Sequence, residues 1–203
     1  MYDLTMTFCR VQEFYESPFK QIRGKKFNLL DYMKIYSEQN GNFTYPLDWG
    51  GFNVPGHIVD KMFELGIDDF NCYDKIIKDI HKEINSKIET KNKYYLIGSN
   101  ENRQTIEHEC AHGLYFLNKK YKAEAKAILK KLSPSVYKKT KAVLLDMGYT
   151  KQVIDDEIQA YFSTEYNLLK QNTNFNKREL TNFTKVVLEF KHNFKQYRKQ
   201  IKI

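Results

Sequence analysis

The segment His108-Glu109-Cys110-Ala111-His112 sets two histidines four residues apart, with a glutamate directly after the first. On an α-helix, residues at that spacing leave the same face one turn apart, so two imidazole nitrogens can meet a single zinc ion. Glu109 then stands beside them as general base for an attacking water. This is the HExxH pattern of zinc hydrolases. It leaves a catalytic site one protein ligand short, because such sites take three ligands from the protein and keep the fourth position open. His112 continues into Gly113-Leu114-Tyr115-Phe116-Leu117-Asn118, with Tyr115 and Asn118 where an HxxGxxH continuation demands Gly and His. The third ligand therefore comes from farther along the chain.

Glu157, in Asp155-Asp156-Glu157-Ile158-Gln159-Ala160-Tyr161-Phe162, is the leading candidate, and Glu124 and Glu165 compete with it. Glu124 sits among lysines, as a surface ion pair would, and Glu165 lies two turns beyond Glu157 on a similar helix face. With Glu157 and the small Ala160 three positions on, the chain resembles the gluzincin clan of zinc metallopeptidases, over these two short motifs and their helix order. The resemblance implies a zincin-like fold and a Zn2+ cofactor on His108, His112 and Glu157. It also implies hydrolysis of a peptide or protein substrate with Glu109 as catalytic base. In peptidases of this kind the strand before the metal helix offers an edge on which an extended peptide pairs. Where some gluzincins carry an Asp four residues after the ligand to hold the first histidine, this sequence has Tyr161. Asp155 or Asp156 is available to hold a histidine N–H instead. Tyr115, Tyr149, Tyr161 and His192 are candidate donors to a developing oxyanion. Peptide deformylase also pairs an upstream cysteine with HExxH, which brings in Cys72, but the glycine-rich and Gln-containing segments of that family are missing.

The elements that must position these residues are read from periodicity. Chain length suits one well-buried domain, α+β and mainly helical, with a mixed part over 1–98 and a helical part over 99–203 that carries the site. Thr5–Val11 is β-prone, and Asn28–Glu38 reads as a short helix. The aromatic, turn-rich stretch from Gly41 to Gly56 reads as a hairpin or ordered loop. Helical patterning covers His57–Leu65, closed by Gly66, and Tyr73–Glu89. Lys93–Gly98 is a strand candidate, with Ser99 and Asn100 as caps for a helix running to about Asn118. Helices follow over Tyr121–Leu132, from Ser133 and Pro134 to near Gly148, over Thr150–Asn172 and over Lys177–Lys199.

The net charge of +8 is concentrated. Residues 119–151 hold ten lysines against Glu124 and Asp146, and residues 170–203 hold nine Lys/Arg against Glu179 and Glu189, while the remainder is net acidic. Lysines at helical spacing without interleaved arginine and glycine read as solvated helix faces, so nucleic acid is a less favoured partner. The rival function is a non-catalytic basic binding module for nucleic acid or an acidic protein, with structural zinc or none. No membrane span and no signal peptide are expected, which suits a cytoplasmic protein. Three cysteines at no ligand-like spacing suit free thiols. Cys9 near the N-terminus is expected to be structural rather than a latent thiolate ligand.

Overall fold

The computed structural model describes residues 2–91, 93–99 and 102–201, so the expected cap at Asn100 lies outside the described residues. Helices α1 (Tyr2–Glu16), α2 (Leu29–Asn40) and α3 (Tyr45–Asp48) precede strand β1 (Gly51–Pro55). Helices α4 (Gly56–Glu64) and α5 (Cys72–Lys87) lead to β2 (Tyr95–Ser99), followed by α6 (Arg103–Leu117), α7 (Lys119–Leu129), α8 (Pro134–Asp146), α9 (Ile154–Thr164), α10 (Tyr166–Gln171) and α11 (Lys177–Arg198). The chain is α+β and mainly helical. None of the described helices is long and apolar enough to cross a membrane. Contacts divide the chain into two compact units, with the boundary between Thr105 and Ile106.

In the first unit, the expected strand at Thr5–Val11 is the middle of α1, and all seven of its residues are buried. A helix enclosed on every side shows no polar stripe, so its β-branched and aromatic residues gave a strand signal that the surroundings override. Arg10 points inward from α1. Its Nε donates to Asp74 Oδ1 at 3.0 Å, Nη1 to the Phe27 carbonyl at 3.0 Å and Nη2 to the Asp69 carbonyl at 3.0 Å. The Phe27 and Phe70 rings lie against the guanidinium at 5.7 and 5.6 Å. One turn along, Glu13 is also buried, and burial raises its carboxyl pKa against the hydrogen bonds of Ser17, Tyr45 and Tyr32. Cys9 is fully buried and burial pushes its thiol pKa well up, which suits a structural, neutral cysteine.

The stretch from Gly41 to Gly56 is not a hairpin. It holds the single turn α3 and then β1, whose antiparallel partner is the distant β2, with Gly51 opposite Ser99 and Pro55 opposite Tyr95. Stacked Phe43 and Tyr45 rings, 6.0 Å apart, hold the turn that a sequence window reads only as loop. Gly98 is required for the sheet to rest on α1, since a Cβ there would stand 2.4 Å from the Phe8 ring, which itself stacks on Phe52 at 5.3 Å. The Gly56 N–H donates to the Tyr94 carbonyl in the same register at 3.0 Å. Bonded pairs alternate along an antiparallel ladder, so Val54/Leu96 and Phe52/Gly98 are bonded pairs, and Asn53, Pro55 and Ile97 turn their main chains outward. On the β1 side Gln12 Oε1 accepts the Asn53 N–H at 3.2 Å, and Pro55 has no N–H to offer.

The second unit is built around α9, in which Glu157 through Ser163 are all buried. Phe162 meets Phe183 and Phe190 of α11 edge-on at 4.9 and 5.7 Å, which fixes one side of α9. Ser133 and Pro134 start α8 as expected, with the Ser133 hydroxyl accepting the Val136 N–H. Past α8, Gly148 takes φ +96, open mainly to glycine, and turns the chain back toward α9. The single helix expected over Thr150–Asn172 is two helices, α9 and α10, that part at Glu165 with φ −131 and ψ 29. Just before the break, Thr164 turns its hydroxyl to the Ala160 carbonyl at 2.8 Å.

Candidate metal centre

Helix α6 carries His108, Glu109 and His112 on its buried length. Asn102 Oδ1 accepts the Gln104 N–H at 2.9 Å near its start, and Asn118 at its end caps α7 by accepting from Lys120 and Tyr121. Glu107 holds Arg198 of α11 in a two-point ion pair at 2.8 and 3.1 Å, which fixes the rotation of α6 within its unit. Glu157 comes from the first turn of α9, where Asp155, Asp156 and Glu157 together face the positive end of the helix dipole.

His108, His112 and Glu157 converge. Each offers one ligand atom, and these atoms all lie within 4.8 Å of one another. The two Nε2 atoms are 3.1 Å apart, and the Glu157 oxygens lie 3.8 Å from His108 Nε2 and 3.7 Å from His112 Nε2. Two nitrogens sharing a tetrahedral zinc at ordinary bond lengths are about 3.3 Å apart, so a small shift would fit them to the ion. Glu157 is only 5% exposed, and its Oε2 is buried without a hydrogen-bond partner. A buried carboxylate oxygen left open among imidazole nitrogens is a donor set with valence to spare, and it fits a divalent cation.

The surroundings of each histidine differ. His112 Nδ1 lies 2.9 Å from Asp156 Oδ1, so of the two expected partners Asp156 takes this role. Asp155 instead accepts from the Tyr137 hydroxyl. Burial opposes charge on His112, yet Asp156, then Glu157 and Glu109, outweigh it and hold the imidazole pKa well above its ordinary value. The carboxylates thus draw a positive charge into the cluster. His108 Nδ1 faces Thr164 Oγ1 at 3.4 Å and Glu165 at 3.9 Å. Because the Thr164 hydroxyl already donates to Ala160, it accepts from His108. Glu165 therefore sits behind the ring, on the side away from the Nε2 atoms.

Tyr161, which stands where an Asp occurs in some gluzincins, fills the flank of His108 with an edge-on ring contact at 4.7 Å. Its hydroxyl meets that of Tyr149 at 3.0 Å. Both phenols feel the charges of Glu157 and Glu109, and burial raises both pKa values, that of Tyr161 to about 12. Tyr149 and Tyr161 are therefore neutral hydroxyls beside the cluster. Tyr115 is buried under the Lys122 ammonium, 4.6 Å from its ring, and also senses Asp156. His192 is exposed and pairs with Gln196, in a groove between α7 and α11 that Glu124 also lines. Neither Glu124 nor His192 joins the cluster, and Glu124 bonds to Tyr197. Cys72 is exposed on α5.

Three supporting residues were not singled out from the sequence. Gln159 lies three positions after Asp156, a helical spacing that could have marked it. Thr164 depends on the break at Glu165, and Tyr121 on the packing of α7 against α9, and neither leaves a periodic signal. Comparison with family models, curated proteins and solved structures gives no match to this chain.

Proposed function

We propose that this chain is a zinc-dependent, zincin-like peptidase in which His108, His112 and Glu157 hold the ion and Glu109 is the general base. The observation that carries this reading is the convergence of these three buried side chains with an open Glu157 oxygen, next to a buried carboxylate at position 109. A structural zinc site would close on a fourth protein ligand, and no fourth His, Cys, Asp or Glu joins the group among the described residues. Zinc held there would polarise the scissile carbonyl and make a water acidic near neutral pH. Glu109 takes the proton of the attacking water and passes it to the leaving amine, a task suited to a carboxylate fixed one residue from His108. Asp156 fixes the ring of His112, and Thr164 accepts from that of His108. Of the neutral Tyr149 and Tyr161 hydroxyls, which bond each other, one O–H remains to donate to negative charge as it develops on the substrate.

Metal analysis of the purified protein and its variants tests the reading. Wild type is expected to carry close to one zinc per chain, and His108→Ala, His112→Ala and Glu157→Ala to lose it. Glu109→Gln should keep zinc and lose roughly two to four powers of ten in turnover of a peptide substrate. Glu124→Ala is the control that changes neither. Full zinc occupancy in the histidine variants would place the metal elsewhere. Zinc binding without hydrolysis of any peptide would favour a binding module.

A further inference from the structure

Behind His112 runs a hydrogen-bond chain deeper than the cluster needs to close. The Tyr121 hydroxyl donates to Gln159 Oε1 at 2.7 Å, and Gln159 Nε2 donates to Asp156 Oδ1 at 2.9 Å. The same Asp156 oxygen faces His112 Nδ1 at 2.9 Å. Tyr121 is fully buried and Gln159 is 1% exposed, so water is kept from the bond between them, while the Asp156 side chain is 29% exposed. The Tyr121 ring is held edge-on by Tyr197 of α11 at 5.3 Å, and Ser163 also lies beside its hydroxyl.

Polarity along the chain is fixed from its far end. A phenol beside an amide oxygen must donate, because both would otherwise be acceptors. That commits Oε1 of Gln159 as acceptor and turns its NH2 toward Asp156. Asp156 Oδ1 then receives two donors, the Gln159 amide and His112 Nδ1–H, and is held as a carboxylate acceptor. With Nδ1–H committed to Asp156, Nε2 of His112, the atom that faces His108 and Glu157, is the nitrogen left to take a metal once its own proton is displaced.

We propose that Tyr121 and Gln159 are positioning residues that, through Asp156, lock the orientation and tautomer of His112 so that Nε2 is presented as a metal ligand. This inference rests on the metal-site reading above. It assigns a role to side chains that never touch the ion, and it gives α7 a part in the site through one hydroxyl.

The test combines two readouts on wild type, Gln159→Met, Tyr121→Phe and Asp156→Ala. Zinc affinity is measured by competition with a fluorescent chelator, and the His112 Nδ1–H of the zinc-free proteins is followed by nitrogen-15 NMR. Asp156→Ala is expected to lose about 10- to 100-fold in zinc affinity, Gln159→Met about tenfold and Tyr121→Phe about threefold. The Nδ1–H should exchange slowly in wild type, faster in Gln159→Met and Tyr121→Phe, and be lost in Asp156→Ala. Leu144→Ala, a fully buried change in α8 outside the relay, should lower thermal stability with neither readout altered. If Gln159→Met does not fold, Tyr121→Phe, which removes a single oxygen, carries the test. Wild-type zinc affinity in both Gln159→Met and Tyr121→Phe, or a freely exchanging Nδ1–H in wild type, overturns the relay. A slowly exchanging Nδ1–H in a wild-type protein that binds no zinc overturns the metal-site reading and, with it, the role given to the relay.

Discussion

Arg10 in α1 and Glu157 in α9 are both charged and almost wholly buried, at 1% and 5% exposure, yet their surroundings are built on different terms. Arg10 closes on two carboxylates and two backbone carbonyls, and every one of its guanidinium nitrogens donates. Glu157 is left with an oxygen that no hydrogen-bond donor reaches, beside two imidazoles whose Nε2 atoms face each other. Burying a charge is costly unless its valence is met, so the first arrangement is explained by the fold alone. The second leaves a carboxylate oxygen unmatched by any donor, as Glu13 Oε2 also is, but only at Glu157 do two imidazole nitrogens stand beside it.

The largest effect that would sharpen this contrast is expected from Arg10→Met. It strands the buried Asp74 and the partly buried Asp69, and should cost about 3–5 kcal/mol in denaturant unfolding while leaving the zinc stoichiometry of the folded protein unchanged. A loss below about 1 kcal/mol would mean that the pair is not the closed structural unit described. Next in size, zinc at a hundred times its dissociation constant should add about 2.7 kcal/mol to unfolding. Slower hydrogen exchange should appear in α6 and α9 and not in α1. Protection spread evenly over both units would break the contrast.

The smallest effects concern pH. Glu13 has its carboxyl pKa raised by burial, so the stability it confers is complete below the unfolded value of 4.5 and is lost as pH rises through the folded value. Glu13→Gln, a permanent mimic of the neutral acid, should remove that alkaline loss. Glu179 shows the opposite sign. The Lys139 ammonium, the Ser135 hydroxyl and the Asn176 N–H lower its pKa to about 2, so its contribution is present above 4.5 and fades as pH falls toward 2. Glu179→Gln should flatten the acid limb alone. Unfolding midpoints recorded from pH 2 to 9 read both, and a matching change on the same limb in the two variants would contradict the assignment.

Helix spacing made His108, Glu109 and His112 legible, and the acidic start of α9 made Glu157 and Asp156 legible, because each signal is local and periodic. Caps were equally clear at Ser133 and Pro134. What stayed hidden depends on enclosure. Thr5–Val11 gave no helical stripe because α1 is surrounded, and β1 could not be matched with β2 across more than forty residues from one window. The break at Glu165 left no local mark, since the Thr164 hydroxyl bonds the Ala160 carbonyl just as Thr181 bonds Lys177 inside the unbroken α11.

The two edges of the small sheet are unequal, and this limits how it can grow. Pro55 and the Gln12 cap on Asn53 deny the β1 side the donors that a new strand needs, whereas Ile97 on β2 turns its main chain outward. With only the Gly51 N–H left to donate from β1, the β2 side is the better edge for a further strand. The poorer edge of the sheet is thus set by one proline and one glutamine side chain.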